Sequence, residues 1–453
     1  MIRAGLKGPG AVVIRAGLKG PDAAVSRARV PEAFAPGFGR RRGIGRGTGL
    51  GIALWLAASI TAAQPDPRPS YSLDALVERA LRESPALAVS AAETRVAAAG
   101  VVTARAYPNP EIGLDWGRAT ARGDGTGGPS PAITLSQPIE NPWLREARVR
   151  AADTGVRFAQ SRAASTSSAL VASIRARFLD VVRLKGELQA HAEDLALTEQ
   201  ILDRVAVRVR VGESPRFDLV RAESEVAVAR KNLETGRLRL RQASLELRAL
   251  VGPTLEDDFD VRVPAQETPP LSDADRETLA LALDARNPDV LLARELETRA
   301  QAQLELERRS LWPQLTLRAS QERDPATTIA RVGAFVTVPL LNRREGPIGE
   351  AQAQLERARL ALAQARFDAR ASFDAAWAAY RAAGTQVQAL EGGILERARS
   401  ALAIAEAAYR LGERGILEYL DAQRQFRFVR NELIAARVDR QKARAEIARL
   451  TGS

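Results

Sequence analysis

Val211-Gly212-Glu213-Ser214-Pro215-Arg216-Phe217-Asp218-Leu219 returns two hundred positions later as Leu411-Gly412-Glu413-Arg414-Gly415-Ile416-Leu417-Glu418-Tyr419. The helical pattern on either side returns in the same register. Self-similarity on that scale means two copies of a domain-sized unit, not a short solenoid repeat. Gly212 with Pro215, and Gly412 with Gly415, are the natural reversal points, because glycine tolerates the backbone angles of a tight turn. Each copy therefore reads as a long helical hairpin with its turn at Gly212 or Gly412.

The flanking residues set the hairpin seams. Leu219, Val226, Leu233, Leu240 and Leu247 fall every seventh position, with Ala222, Ala229, Gly236, Ala243 and Leu250 between them. Tyr419, Phe426, Leu433 and Ile447, interleaved with Ala422, Val429, Ala436, Ala443 and Leu450, repeat the arrangement. Arg440 interrupts the second series. The preceding arms keep the beat at Val181, Leu188, Leu195, Leu202 and Val209, then at Leu395, Leu402 and Tyr409. Alternating large and small residues at coiled-coil spacing suits closely packed helices. No proline lies between Pro142 and Pro215 and none follows Pro347, so each arm can be one rod. About 65 residues of helix would measure roughly 100 Å, which favours an elongated coiled-coil assembly over an ordinary bundle.

Each copy also holds two short alternating segments. Ile112, Leu114 and Trp116 oppose Glu111, Gly113 and Asp115, and Ile133 and Leu135 alternate with Thr134 and Ser136. In the second copy Leu315, Leu317 and Ala319 alternate with Thr316, Arg318 and Ser320. Val332, Ala334, Val336 and Val338 alternate with Arg331, Gly333, Phe335 and Thr337. The dyad pattern fits a half-buried soluble sheet or a barrel with lipid outside and water within. Gly123–Gly128 and Gln321–Thr328 read as the loops joining each pair, and Tyr107 and Trp312 as interfacial aromatic residues. Four strands cannot close a membrane barrel, and an open edge in lipid leaves unpaired backbone groups costing several kcal/mol each. If the strands enter a membrane, several chains must share one barrel, and three chains give twelve strands.

Charge and composition exclude other classes. The net charge is +11, yet residues 1–63 hold ten Lys/Arg against two Asp/Glu. The remainder is nearly balanced, with both signs interspersed, so no phosphate-binding stripe and no nucleic-acid partner are expected. There is no cysteine and a single histidine, His191. A metal centre lacks its usual ligands, a His-based catalytic pair is impossible, and no cofactor or enzyme activity is expected. His191 reads as a surface or seam residue. Arg40-Arg41-Arg42 and Arg46 precede the apolar run Leu50–Ile60, and Thr61, Ala62 and Ala63 follow it, the order of an export signal cleaved after Ala63. Upstream of the signal, Ile2–Pro9 recurs as Ile14–Pro21, which suggests a later true start. The domain reading is 1–63 leader and signal, 64–264 first repeat, and 265–453 second repeat.

Four motifs carry a resemblance across residues 70–453: Leu135-Ser-Gln-Pro-Ile139, Val211 to Asp218, Tyr409 to Asp421, and Tyr107-Pro-Asn-Pro-Glu-Ile112. With the tandem halves and paired strands, the chain resembles the TolC family of outer-membrane efflux channels. The last motif is similar to the cation-efflux, CzcC-like branch. The resemblance implies a fold that is mostly α with a small β part. It also implies a homotrimer with a twelve-stranded barrel in outer-membrane lipid and an α-helical tunnel in the periplasm. The implied partners are a periplasmic adaptor and an inner-membrane pump of RND type. By the same resemblance Asp218, Tyr409 and Arg414 would latch the periplasmic end, with an Asp218–Arg414 ion pair and a hydrogen bond from Tyr409. Glu418 and Asp421 would ring the constriction. The rival readings are a periplasmic coiled-coil adaptor, which would carry one hairpin inside β-rich domains, and the channel of a type I protein secretion system.

Overall fold

A computed structural model describes residues 68–120, 123, 127–262 and 269–452. The leader, export signal and cleavage site expected within residues 1–63 lie outside them. Strand β1 (Ser70–Tyr71) leads into α1 (Leu73–Glu83) and α2 (Pro85–Arg105), then β2 (Glu111–Ala119) and β3 (Gly128–Ile139). Helix α3 (Pro142–Arg210) and α4 (Arg216–Val251) form the first hairpin. After β4 (Asp260–Val261) the plan repeats as α5 (Asp273–Arg286), α6 (Pro288–Arg309), β5 (Gln314–Arg323), β6 (Thr328–Thr337), α7 (Glu345–Ala389), α8 (Leu395–Leu411) and α9 (Ile416–Thr451).

Helix α3 is the 69-residue rod the sequence allows. It starts at Asn141, whose Oδ1 accepts the Trp143 N–H at 2.9 Å, with Pro142 at the first helical position, where its missing N–H costs nothing. The second arm differs from expectation, because a π-helical turn at Leu390–Ile394 separates α7 from α8. Gly393 sits there at φ 136°, a backbone state open essentially to glycine alone. Absence of proline is not sufficient for an unbroken helix when two glycines adjoin.

The hairpin seams form as read. Ala222, Val226, Ala229, Leu233, Gly236, Ala243 and Leu247 are buried along α4, and Tyr419, Val429, Leu433, Ala436, Ala443, Ile447 and Leu450 along α9. His191 packs over Gly236, where an added Cβ would lie 3.2 Å from its ring. Helix α3 is a correction. Its fully buried stripe in the lower half is Ala190, Asp194, Thr198, Ile201 and Val205, whereas Leu188, Leu195, Leu202 and Val209 are half-buried. The reason is geometric: α3 contacts α4 on one side and α9 on the other, so it carries two stripes rather than one.

The duplication is visible in the cores. One cluster joins Leu76, Ala80, Phe178, Ala243 and Leu247. Its counterpart joins Leu283, Phe373, Trp377, Tyr380, Ala443 and Ile447. Ala243 and Ala443, like Leu247 and Ile447, are separated by the same two hundred positions as the hairpin turns. Pairing of β1 with β4 in parallel is a further contact that two-residue segments give no pattern to announce.

All four longer strands form one antiparallel sheet in the order β2-β3-β5-β6. The central pair joins the repeats, with Ile139 opposite Leu315 and Ala132 opposite Glu322. The second loop is shorter than Gln321–Thr328. Strand β5 continues through Arg323 and β6 starts at Thr328, leaving a tight turn closed by the Asp324 N–H donating to the Thr327 carbonyl at 2.8 Å. Ile112, Leu114, Trp116 and Val332 all project from the sheet and are exposed.

Candidate channel gate at the hairpin tips

Both tips are built identically. The Gly212 N–H donates to the Val209 carbonyl and the Glu213 N–H to Arg208. Gly412 and Glu413 repeat this with Tyr409 and Ala408. These are Schellman caps, which need a left-handed residue after the helix, and Gly212 (φ 80°) and Gly412 (φ 75°) supply it. At Gly412 space is limiting too, since a Cβ would lie 3.3 Å from Arg208 Nη2.

The five gate candidates separate into one buried and four accessible residues. Tyr409 is 3% exposed. Its ring stacks on that of Tyr419 with centroids 5.8 Å apart, and the Arg208 guanidinium lies 5.0 Å over it. Arg208 Nη1 also donates to the Tyr409 carbonyl at 2.9 Å. Ile201, Val205, Ala222, Ile416 and Leu420 complete this cluster, so the two hairpins of one chain are fastened together near their tips by hydrocarbon and aromatic contact. The hydroxyls of Tyr409 and Tyr419 are buried and have no hydrogen-bond partner among the described residues. Burial, with Glu406 nearby, pushes Tyr419 up to about 12.

Asp218 sits half-buried in the first turn of α4, where the helix N-terminus favours a carboxylate. Arg414 and Glu418 are exposed, in the turn and in the first turn of α9. Asp421 is exposed and 3.1 Å from Arg424 Nη1, and Arg424 also pairs with Glu225 on α4. Among the described residues no ion pair joins Asp218 to Arg414 within one chain.

Above the tip cluster the two hairpins meet through polar groups that the heptad reading passed over. Lys442 reaches Asp180 at 2.5 Å, and Arg430 Nη2 reaches Asp194 at 2.8 Å and the Ala190 carbonyl at 3.0 Å. Gln423 Nε2 donates to Thr198 Oγ1 at 3.4 Å. Arg204 pairs with Glu406 at 2.9 Å. Burial raises Asp194 above the ordinary aspartate value, and Arg430 opposes the shift. The signal was present in the sequence: Asp194 and Thr198 lie four apart on a helix face that otherwise buries Ala190, Ile201 and Val205.

The chain thus combines long paired helices, two hairpin tips and a four-stranded sheet open at both edges. The sequence profile of the family described as Outer membrane efflux protein matches residues 76–253 and 279–453, and the chain belongs to that family. It is 24% identical over 414 residues to the pyoverdine export outer membrane protein OpmQ of Pseudomonas aeruginosa, covering 84% of this chain and 85% of the relative. It is 23% identical over 362 residues to the cobalt-zinc-cadmium resistance protein CzcC of Cupriavidus metallidurans, covering 78% and 83%. The fold matches the crystal structure of CusC with a TM-score of 0.70 at 18% identity, covering 85% of this chain and 92% of that one. The protein is thus the outer-membrane channel of a tripartite efflux system, in a family of conduits rather than enzymes, whose members are trimers that work with an adaptor and a pump.

Proposed function

We propose that three copies close head to tail into a twelve-stranded barrel continuous with a helical tunnel in the periplasm. The observation that carries this is the coincidence of open edges. Strands β2 and β6 each keep one unpaired ladder. In the upper helical layer α2 packs on α3, α3 on α6 and α6 on α7, so α2 and α7 are the ends of the row. In the lower layer α4 packs on α3, α3 on α9 and α9 on α8, so α4 and α8 are the ends. Elements β2, α2 and α4 share one flank, and β6, α7 and α8 the other. The end helices also present unpartnered apolar residues, Val89, Val96 and Val102 on α2 and Leu360 and Phe367 on α7. A head-to-tail contact that closes on itself satisfies every one of these edges.

In this reading residues 64–264 and 265–453 are the two repeats, and the strand loops lie outside the cell. The turns at Gly212 and Gly412 point into the periplasm. Asp218 of one protomer meets Arg414 of the next, and the Tyr409 hydroxyl finds its acceptor when the ring assembles or shifts. Glu418 and Asp421 supply acidic rings at the entrance that favour cations. The adaptor docks on the periplasmic tips and the pump is of RND type. The CzcC-like motif at Tyr107–Ile112 favours cation cargo, while comparable identity to a pyoverdine exporter keeps an organic cargo as the second reading.

The chain lacks cysteine, so engineered pairs report cleanly. Leu114→Cys combined in turn with Val332→Cys, Ala334→Cys and Val336→Cys scans the register between β2 and a neighbour's β6. One combination is expected to give a disulfide-linked trimer on non-reducing gels. Monomers in every register, together with a monomeric mass in detergent, would falsify the ring.

A further inference from the structure

Where α2 ends and α3 begins, a cavity of about 470 Å³ opens beside the root of β2. That size falls within the roughly 300–1,000 Å³ of small-ligand clefts. Its lining carries Arg105, Arg145 and Arg150 together with Glu140, Glu146 and Asp153, and Glu140 is already taken by Arg148 at 2.8 Å. Arg145 is held in place from two sides. It lies 4.5 Å over the Tyr107 ring, and its Nη2 donates to the Arg105 carbonyl at 2.7 Å. Its Nε is buried and has no acceptor. Arg105 and Asp153 approach only to 3.9 Å, an open pair whose two charges can each turn to a ligand. Arg150 pairs with Glu146 at 2.5 Å on an exposed helix face, where such a pair is worth little and readily exchanges.

Next to this cleft the surface turns apolar and aromatic. Tyr107 leads into β2, whose Ile112, Leu114 and Trp116 are exposed. Trp143, in the first turn of α3, packs on Trp312 with ring centroids 5.3 Å apart. Amphipathic rings of this kind sit at the headgroup level of a bilayer. We propose that the cleft binds the headgroup of a zwitterionic phospholipid from the periplasmic leaflet, one carrying a phosphate and a primary ammonium. The phosphate takes Arg145 and Arg105, whose planar forks suit it. The ammonium takes Asp153 and Glu146, and the acyl chains lie along the apolar face of β2. A purely anionic headgroup would use the arginines and leave its charge beside two carboxylates. The proposal rests on the reading that the strands enter the membrane.

Native mass spectrometry of the detergent-purified channel, titrated with phosphatidylethanolamine, phosphatidylglycerol or diacylglycerol, tests it. Phosphatidylethanolamine is expected to be retained about tenfold better than either competitor, the scale of one charge-assisted contact. Arg145→Gln should lose that retention, and Glu146→Gln with Asp153→Asn should shift preference to phosphatidylglycerol. Arg343→Gln, an exposed arginine at the corresponding junction of the second repeat, is the control expected to change nothing. Circular dichroism and the oligomer mass establish that each variant is folded before it is scored. Equal retention of all three lipids, parental retention by Arg145→Gln, or equally tight binding of soluble phosphoethanolamine would overturn the site. Planar-bilayer conductance separates the two readings: a conducting channel without lipid preference sinks only the cleft, and a protein that never conducts sinks the channel itself.

Discussion

Within a hairpin, helices meet through hydrocarbon; between hairpins, over much of their shared length, they meet through charge. The α3–α4 seam buries Val226, Leu233 and Leu247 against their opposite arm. The α3–α9 seam instead places Asp180 against Lys442, Asp194 against Arg430 and Thr198 against Gln423. Apolar burial contributes roughly 25 cal/mol for each Å² removed from water, whereas ion pairs recover little beyond their own desolvation. Each hairpin is consequently a robust unit, and the polar seam fixes the register of one against the other at small net gain. The tip is the exception, because Tyr409, Tyr419, Ile201 and Val205 close the last turns with apolar contact. A docking partner that spreads the tips meets its main resistance there and little above it.

The largest effect is expected where hydrocarbon carries the load. Phe178 is buried at the top of the first hairpin among Leu76, Leu247 and Val251. Phe178→Ala should cost about 3–5 kcal/mol and lower the temperature at which helical circular dichroism is lost. If the variant melts with the parent, the apolar seam is not what holds the hairpin.

Breaking the polar seam from one side comes next. Arg430→Ala removes the cation that hydrogen-bonds the buried Asp194 and leaves Arg427 as its remaining arginine, a loss of up to about 3 kcal/mol at neutral pH. The sign with pH is definite. Asp194 has a raised value in the folded chain, so its charged form opposes folding and that penalty grows as pH rises above the ordinary aspartate range. Removing Arg430 raises the value further. The deficit of Arg430→Ala relative to the parent should therefore shrink as pH falls from 7 toward 4, when Asp194 takes up its proton. A deficit independent of pH would mean that Arg430 acts through packing alone.

Most of the architecture was legible because it rests on periodicity. Heptads gave α4 and α9, alternation gave the four long strands, and recurrence of Gly212 at Gly412 gave the duplication. What escaped reading depends on how many neighbours an element has. Helix α3 touches two partners in its lower half, so a single heptad series describes only one of its two stripes, and the buried Asp194 belongs to the other. Tyr409 was picked out as a gate residue donating a hydrogen bond. Its cover by Arg208 joins residues 201 positions apart, which no local pattern reports. The cleft at Arg145 is likewise assembled from the ends of two helices.

The repeats also differ in their long arms, and glycine sharpens that contrast. Gly393 at φ 136° interrupts the second arm, while the first has no counterpart to it. Gly393→Ala should cost about 1–3 kcal/mol, the strain of holding a Cβ in that region. Gly392→Ala, with nothing within 4 Å of an added Cβ, should be neutral or slightly stabilising. Equal melting of the two variants would show that the break follows from packing rather than from the Gly393 backbone.

The smallest effect per chain belongs to the proposed latch. Arg414 is exposed, and an exposed ion pair contributes about 0–1 kcal/mol. Arg414→Ser should leave melting unchanged, because nothing buried depends on it. Its effect would appear only in the ring, where three weak links act on one opening step and their contributions combine. Single-channel recording should then show more frequent or longer openings than in the parent. A variant that stays shut as tightly as the parent would move the resistance from Asp218–Arg414 to the Tyr409–Tyr419 cluster, making the gate a matter of hydrocarbon contact within each chain rather than charge between chains.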